Sequence, residues 1–163
     1  LLCTTDIYGQ LDIQQLTEQQ GLGNNTVNTI HQDRKGFLWI GTDIGMTRYG
    51  GNYFHSYNLS RPGGEPISIS NIEETEDRYL WLESEDGILS CFDKQQEKYL
   101  PIQWNDEIKQ EEIQKLYSTG NTLYAILPNG LYMIDVKSDG KMIQLNKKPI
   151  LENKKLFQSL MVV

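Results

Sequence analysis

The stretch Phe37-Leu38-Trp39-Ile40-Gly41-Thr42-Asp43-Ile44-Gly45-Met46-Thr47-Arg48-Tyr49 decides the fold. Its first six residues are β-branched, aromatic and small, the composition of a strand packed on a pleated surface. Asp43-Ile44-Gly45 then turns the chain, with Gly45 placed to supply a positive φ, and Met46 to Tyr49 reads as the partner strand. The pattern recurs as Leu80-Trp81-Leu82 with Gly87, and as Leu123-Tyr124-Ala125 with Gly130. The aromatic precedes its glycine by six residues in every copy. The aromatics themselves lie 42 and then 43 residues apart (39 to 81, 81 to 124). A period in the low forties is the length of one four-stranded propeller blade.

Each copy divides into four strands on this reading. Val27 and Ile30 open the first, and Ile69 and Ile72 repeat them at a spacing of 42. The expected fold class is all-β: a partial β-propeller of about three four-stranded blades plus terminal strands of neighbouring blades. Residues 21–65 form blade 1, 66–110 blade 2 and 111–152 blade 3. Residues 153–163, with Phe157 and Leu160, read as the first strand of a fourth. Residues 10–20 read as an outer strand that would close the last blade, because Ile13 precedes Val27 by the interval that elsewhere separates an outer strand from the next blade. Residues 1–9 are either a leader remnant or a flexible terminus. Three blades do not close a ring of the usual four to eight. The chain is therefore expected to be the first part of a longer protein, and to pair its open edges with another copy as a homodimer or edge-paired oligomer.

Composition narrows the function. The chain has 163 residues, 38% hydrophobic and 23% charged, with a net charge of −7. That acidity disfavours binding to a phosphate backbone, so no nucleic-acid partner is expected. No apolar run approaches the ~20 residues needed to cross a bilayer. Cys3 and Cys91 follow no disulfide framework, and His31 and His55 sit in different contexts, so neither a metal site nor a cofactor is expected.

The run from Gly21-Leu22-Gly23-Asn24 through Val27, Ile30, Asp33 and Gly36 to Leu38-Trp39-Ile40-Gly41-Thr42 and Arg48-Tyr49 resembles the two-component regulator propeller repeat. Met46 stands where leucine is usual, and Gly50 where aspartate is usual. Blade 2 keeps Leu80-Trp81 and Gly87 but has Glu83-Ser84 for the Gly-Thr pair. Blade 3 keeps Leu123, Tyr124, Gly130 and Leu131. The resemblance implies the periplasmic sensor half of a hybrid two-component system of the Bacteroidetes type. It further implies a membrane anchor, a histidine kinase and a DNA-binding module elsewhere in the full-length protein, and an oligosaccharide ligand.

A residue repeated in every blade at a strand centre serves packing, so Trp39 and Trp81 are expected in the core rather than as sugar platforms. Gly45, Gly87 and Gly130 are read as turn geometry. Ligand candidates come instead from irregular segments at one end of the sheets: Asp43 in the second-to-third-strand turn, and Arg61 and Glu65 in the loop between blades. Trp104 reads as a capping hydrophobe, the alternative being an exposed contact. Glu73, Glu74, Glu76, Glu83, Glu85 and Asp86 are plentiful, but a glycosidase needs two carboxylates flanking one bond. No nucleophile elbow, Walker loop or dinucleotide fingerprint is present, and no catalytic residue is assigned. Three functions follow: a non-enzymatic sensor, a protein-interaction scaffold, and a polysaccharide-degrading propeller enzyme, in that order. Replacing Trp39 by alanine removes the largest repeated core side chain, at a cost of about 3–5 kcal/mol. Trp39→Ala is expected to leave the chain unfolded by circular dichroism.

Overall fold

A computed structural model describes residues 13–76, 78–104 and 113–152. The expectations for residues 1–9 and 153–163 lie outside that range. Strands are numbered in chain order. The first sheet holds β1 (Val27–Gln32), β2 (Leu38–Thr42), β3 (Gly45–Tyr49) and β4 (Phe54–Asn58), each antiparallel to the next. The second holds β5 (Ile69–Thr75), β6 (Tyr79–Ser84), β7 (Leu89–Asp93) and β8 (Lys98–Leu100) in the same order. A short β9 (Ile102–Trp104) follows. The third sheet holds β10 (Lys115–Thr119), β11 (Thr122–Leu127), β12 (Gly130–Ser138) and β13 (Ile143–Glu152). The first strands of successive sheets lie against one another, β1 on β5 and β5 on β10. The chain is thus an all-β partial propeller of three consecutive blades.

Register shows the repeat in three dimensions. His31 pairs with Trp39, Glu73 with Trp81, and Tyr117 with Tyr124. The three aromatics therefore occupy equivalent places. Trp39 packs with Met46 and Tyr57 of the first blade against Ile69, Ile72, Leu80, Leu82 and Phe92 of the second. Its ring meets Phe92 edge-on at 5.6 Å. Trp81 in turn joins Leu89 and Cys91 against Leu116, Leu123, Ala125 and Leu127 of the third. Both tryptophans are buried, as a repeated core position requires. Tyr124 is only half-buried, because its side of blade 3 faces away from blade 2. All six residues of β6, in the middle blade, are buried because a neighbouring blade covers each of its sides.

Three features differ from the sequence reading. Residues 13–17 have no strand partner among the described residues, and Glu18–Gln20 forms a single 3-10 turn capped by Thr17. The last blade, which such an outer strand would complete, is not among the described residues. The chain instead crosses blade 1 at Gly23, whose N–H bonds Thr47 Oγ1 at 3.1 Å. Gly130 begins β12 without a positive φ, so the blade 3 turn is made by Pro128 and Asn129. Finally, the four-strand period calls for a single outer strand in blade 2 over Lys98 to Ile102, but Pro101 separates β8 from β9. Beyond it, β9 joins the third sheet, parallel to β13 with Gln103 opposite Gln144. That carries Trp104 onto the second core, half-buried, with its indole N–H buried and unbonded.

At the end of the sheets holding the first-to-second-strand turns, each tryptophan is tied down through its indole N–H. Trp39 Nε1 donates to Asp33 Oδ2 at 2.8 Å, and Trp81 Nε1 to Thr75 Oγ1 at 2.8 Å. Asp33 also accepts from the backbone N–H groups of Lys35 and Phe37. Lys94 of blade 2 lies 3.3 Å from Asp33 and forms an ion pair with Glu74, with all three side chains nearly fully buried. Burial pulls the Asp33 carboxyl upward, but the Trp39 donor, the Lys94 charge and the Phe37 N–H outweigh it and hold the group below its ordinary range. Asp93 is likewise held low: burial raises it, and Arg78 with the Gln95 and Gln96 donors overcomes that. A carboxyl depressed in the folded state stabilises the fold above its unfolded value of 3.8 and loses that contribution as pH falls through the folded value. Stability by urea unfolding is therefore expected to fall below about pH 4 on account of these two groups. Asp33→Ala should cost about 2–4 kcal/mol at pH 7, since it strands the Trp39 donor and removes one of the two carboxylates facing the buried Lys94.

Candidate functional site

The opposite end of the sheets carries the second-to-third-strand turns and the loop from blade 1 to blade 2. The β2–β3 turn is tight: a side chain at Gly45, where φ is 121°, would meet the Tyr57 carbonyl at 2.8 Å. This fixes Asp43 at the tip. Asp43 Oδ1 accepts from Asn28 Nδ2 at 2.9 Å and from Ser68 Oγ at 3.3 Å, which ties the blade 1 turn to the first strand of its own blade and to the approach to blade 2.

The interblade loop forms a small finger. Ile67 N–H bonds the Leu59 carbonyl, Ser60 bridges Pro66, and Arg61 N–H bonds the Glu65 carbonyl. Gly63 and Gly64, both at positive φ, form its tip. The Arg61 guanidinium pairs with Asp86 in the β6–β7 turn of blade 2, and lies 3.9 Å from Glu65. The Ser84 hydroxyl lowers the Asp86 carboxyl most, and together with the Arg61 charge it outweighs the opposing effect of burial.

Asp43, Arg61 and Glu65 therefore lie at one end of the molecule, in the turns and loop where the repeat period places them. Asp43 engages Asn28 and Ser68, whereas Arg61 engages Asp86 and Glu65; the two sets are separate. Glu65 is the most exposed of the ion-paired groups here, its side chain 78% accessible. Asn28, Ser68 and Asp86 escape a reading of the sequence because each is an ordinary polar residue in a strand or turn. Asp86 carries one signal, its place beside Gly87 in the turn equivalent to that of Asp43.

A second polar cluster, between blades 2 and 3, escapes it too. In blade 1 the slot at Gly41 lets Ile69 approach, since a Cβ there would lie 2.9 Å from Ile69 Cγ2. Blade 2 has Glu83 in that slot. The Glu83 carboxylate accepts from Leu116 N–H at 3.2 Å and Asn71 Nδ2 at 3.4 Å, while Asn71 Nδ2 also reaches the Leu116 carbonyl at 3.2 Å. Glu73 beside it accepts from the backbone and hydroxyl of Ser118. These carboxylates join blade to blade. Burial pushes the Glu83 carboxyl above its ordinary range, and the Leu116, Lys115 and Asn71 contributions only partly offset this.

Glu74 accepts from the Arg34 N–H of blade 1 at 3.3 Å, so of the acidic residues noted in the sequence, Glu73, Glu74, Glu83 and Asp86 are engaged in contacts between blades or between loop and blade. Among the described residues no three of His, Cys, Asp and Glu converge as a metal site. A shallow groove of about 290 Å³ runs beside the finger, lined by Leu59, Ser90, Tyr99 and Pro101 among others. The Tyr99 hydroxyl is committed to the Tyr57 carbonyl at 2.9 Å. Cys91 is buried as a free thiol, and burial pushes its pKa up. No described helix is long and apolar enough to cross a membrane.

The fold defines a class, the β-propellers, and comparison with known proteins narrows it. Residues 21–43, in the first blade, match the two component regulator propeller family. No curated protein sequence matches the chain. Among solved structures it is similar to the extracellular domain of BT3049 from B. thetaiotaomicron, described as a putative hybrid two component system. The TM-score is 0.56 at 23% identity, covering 86% of this chain and 21% of that one. It is also similar to the extracellular domain of BT4673 from the same organism, at TM-score 0.52 and 19% identity over 74% of this chain and 15% of that one. A second BT4673 structure, described as a one component system, gives 0.52 at 20% identity over 76% and 16%. The chain therefore spans about a fifth or less of the length of these relatives, and the likeness is one of fold.

Glu83 offers a direct measurement of the blade 2–blade 3 seam. A carboxyl whose folded value is raised stabilises the fold at low pH and loses that contribution as pH rises through the raised value. Glu83→Gln keeps an oxygen for the Leu116 N–H and removes the buried charge. It is expected to raise stability at pH 7 by about 0.5–1 kcal/mol and to flatten the decline between pH 4.5 and neutrality, read by urea unfolding.

Proposed function

We propose that this chain is part of the extracytoplasmic, periplasmic ligand-sensing propeller of a hybrid two-component sensor. It detects an oligosaccharide and signals to a kinase carried elsewhere in a membrane-anchored protein. The observation that supports this most is the coincidence of two likenesses. The blade 1 segment at residues 21–43 matches the two component regulator propeller repeat, and the fold of all three blades is similar to extracellular domains of proteins described as two component systems.

The chain's own chemistry fits a binding rather than a catalytic role. Glu73, Glu74 and Glu83, acidic side chains a hydrolase could use, are held in hydrogen bonds to backbone N–H groups of neighbouring blades. The end of the molecule carrying Asp43, Arg61 and Glu65 presents hydroxyl, amide, carboxylate and guanidinium groups, the set that recognises sugar hydroxyls. The Arg61–Asp86 pair crosses from the interblade finger to blade 2. A ligand that competes for either partner would alter how the finger sits on blade 2, and a difference in affinity between two arrangements is what a sensor transmits.

The test is calorimetry of the whole ectodomain against a panel of defined oligosaccharides. Binding of at least one glycan, weakened tenfold or more in Arg61→Ala or Asp43→Ala, is the expected result. A panel with no binder, combined with capture of a defined protein partner, would instead favour the interaction scaffold. Turnover of a glycan would favour the enzyme.

A further inference from the structure

We infer that the outer rim of the seam between blades 1 and 2 holds a second binding site, built from Arg48, Tyr57 and Glu97, which takes two adjacent hydroxyls of a neutral sugar. It lies toward the end of the sheets opposite Asp43, Arg61 and Glu65, and its ligand class follows from its own side chains.

Arg48 stands in β3 between Trp39 and His55. The equivalent positions, opposite Trp81 and Tyr124, hold Cys91 and Met133, so a charge here is peculiar to blade 1. The guanidinium carbon lies 5.2 Å from the ring centre of Phe37, 5.7 Å from that of Trp39 and 5.9 Å from that of Tyr57. Three rings thus hold the planar group in place. Arg48 Nη1 donates to Glu97 Oε1 of blade 2 at 2.8 Å. That bond, with the Arg48 charge behind it, holds the Glu97 carboxyl below its ordinary range against the effect of burial. The rim therefore carries one charged donor beside one charged acceptor.

Two features set this cluster apart from a plain ion pair. Glu97 closes the turn between β7 and β8 at a φ of 51°, a left-handed conformation that glycine adopts freely and other residues adopt at a cost. The turn itself is shaped by Asp93, whose carboxylate accepts from the Gln95 and Gln96 N–H groups. Glycine would suit the turn better, and what Glu97 adds there is its carboxylate. The second feature is Tyr57, 8% exposed, whose hydroxyl is buried and not placed to hydrogen bond with any described group. Burial pushes this phenol up to about 12, with Arg48 opposing and the nearby Glu97 adding to the rise. The hydroxyl keeps its proton and remains an unused donor, which is costly in a buried place.

The rim is open to a ligand. The Glu97 side chain is 45% accessible, and Tyr53 and His55 beside it are exposed, the His55 ring 4.6 Å from that of Tyr57. A sugar hydroxyl both donates and accepts. Of two adjacent hydroxyls, one donates to Glu97 and the other accepts from Arg48, and the Tyr57 hydroxyl donates to either. Aromatic rings around a few convergent polar groups are the usual lining of such a site. A sugar carboxylate would instead meet the Glu97 charge, so acidic sugars are disfavoured.

Calorimetry of the whole ectodomain against neutral glucose, mannose and galactose trisaccharides, with trigalacturonate as the acidic comparison, tests the site. Tyr57→Phe removes only the hydroxyl, and Glu97→Gly relieves the turn. Both variants are expected to keep or raise the urea midpoint. Binding of at least one neutral trisaccharide should nevertheless weaken, by about tenfold or more in Glu97→Gly and about threefold or more in Tyr57→Phe. Arg61→Ala, at the other end of the sheets, should leave this binding unchanged, so the two sites stand or fall separately. A panel without a neutral binder would overturn the proposal. So would binding that either rim variant leaves unchanged, or trigalacturonate binding more tightly than the neutral sugars. A lowered urea midpoint in either variant would mark the cluster as structural and overturn it too.

Discussion

A four-stranded sheet with apolar side chains on both faces is not stable by itself, and each sheet here meets that constraint through its neighbours. Trp39 and Trp81 are the means. Each is a large ring projecting from a strand centre into the aliphatic residues of the next sheet, and each is oriented by one hydrogen bond from its indole nitrogen. Full burial of such a ring contributes on the order of 2–3 kcal/mol. Its indole N–H costs about 1–3 kcal/mol if left unpaired. The acceptor six residues upstream is therefore as much a part of the arrangement as the ring. Asp33 fills that place in blade 1 and Thr75 in blade 2, which shows that the slot requires an oxygen and not a particular residue.

Polar seams between blades follow from the same geometry. Once the rings set the spacing of the sheets, the first strands come close enough for side chains to reach across. Glu83 and Asn71 hold the two backbone groups of Leu116, and Glu73 holds Ser118. On the blade 1–blade 2 seam Lys94 and Glu74 close on Asp33. At the other end the Arg61–Asp86 pair and the Asn28–Asp43–Ser68 contacts link loop to turn. These contacts fix register more than they add stability, because exposed ion pairs contribute little and buried ones carry a desolvation cost. The tip of the interblade loop, residues 62–66, is exposed, while Leu59 and Ile67 at its base pack into the core between blades 1 and 2.

Much of the fold was legible because its signals are local. Trp39, Trp81 and Tyr124 with their glycines give the period, and the alternation around them gives strands β2, β6 and β11. Gly45 and Gly87 both adopt the positive φ expected of them, and at Gly45 the turn is too tight for a Cβ. Gly130 broke that rule because Pro128 and Asn129 already make the turn. The placement of Asp43, Arg61 and Glu65 at one end was readable from the repeat, since turns of the same rank lie at the same end. Their partners were not, because a hydrogen bond such as Asp43 to Ser68, or Arg61 to Asp86, spans 25 residues with no pattern to mark it.

The sequence by itself determined the blade period, the strand centres and the tryptophans as core residues. Each of these is set by spacing and residue type within about a dozen positions around a strand centre, a distance over which local pattern acts directly. Only the tertiary structure decided where the chain leaves the repeat. Pro101 splits the outer strand of blade 2, so that Ile102–Trp104 pairs with β13 of blade 3 instead. Residues 13–17 stay unpaired within the described chain while Gly23 anchors on Thr47. The half-buried state of Tyr124, in a slot where Trp39 and Trp81 are fully covered, is likewise a property of neighbours. Burial belongs to a pair of surfaces, and a single stretch of sequence specifies only one of them at a time.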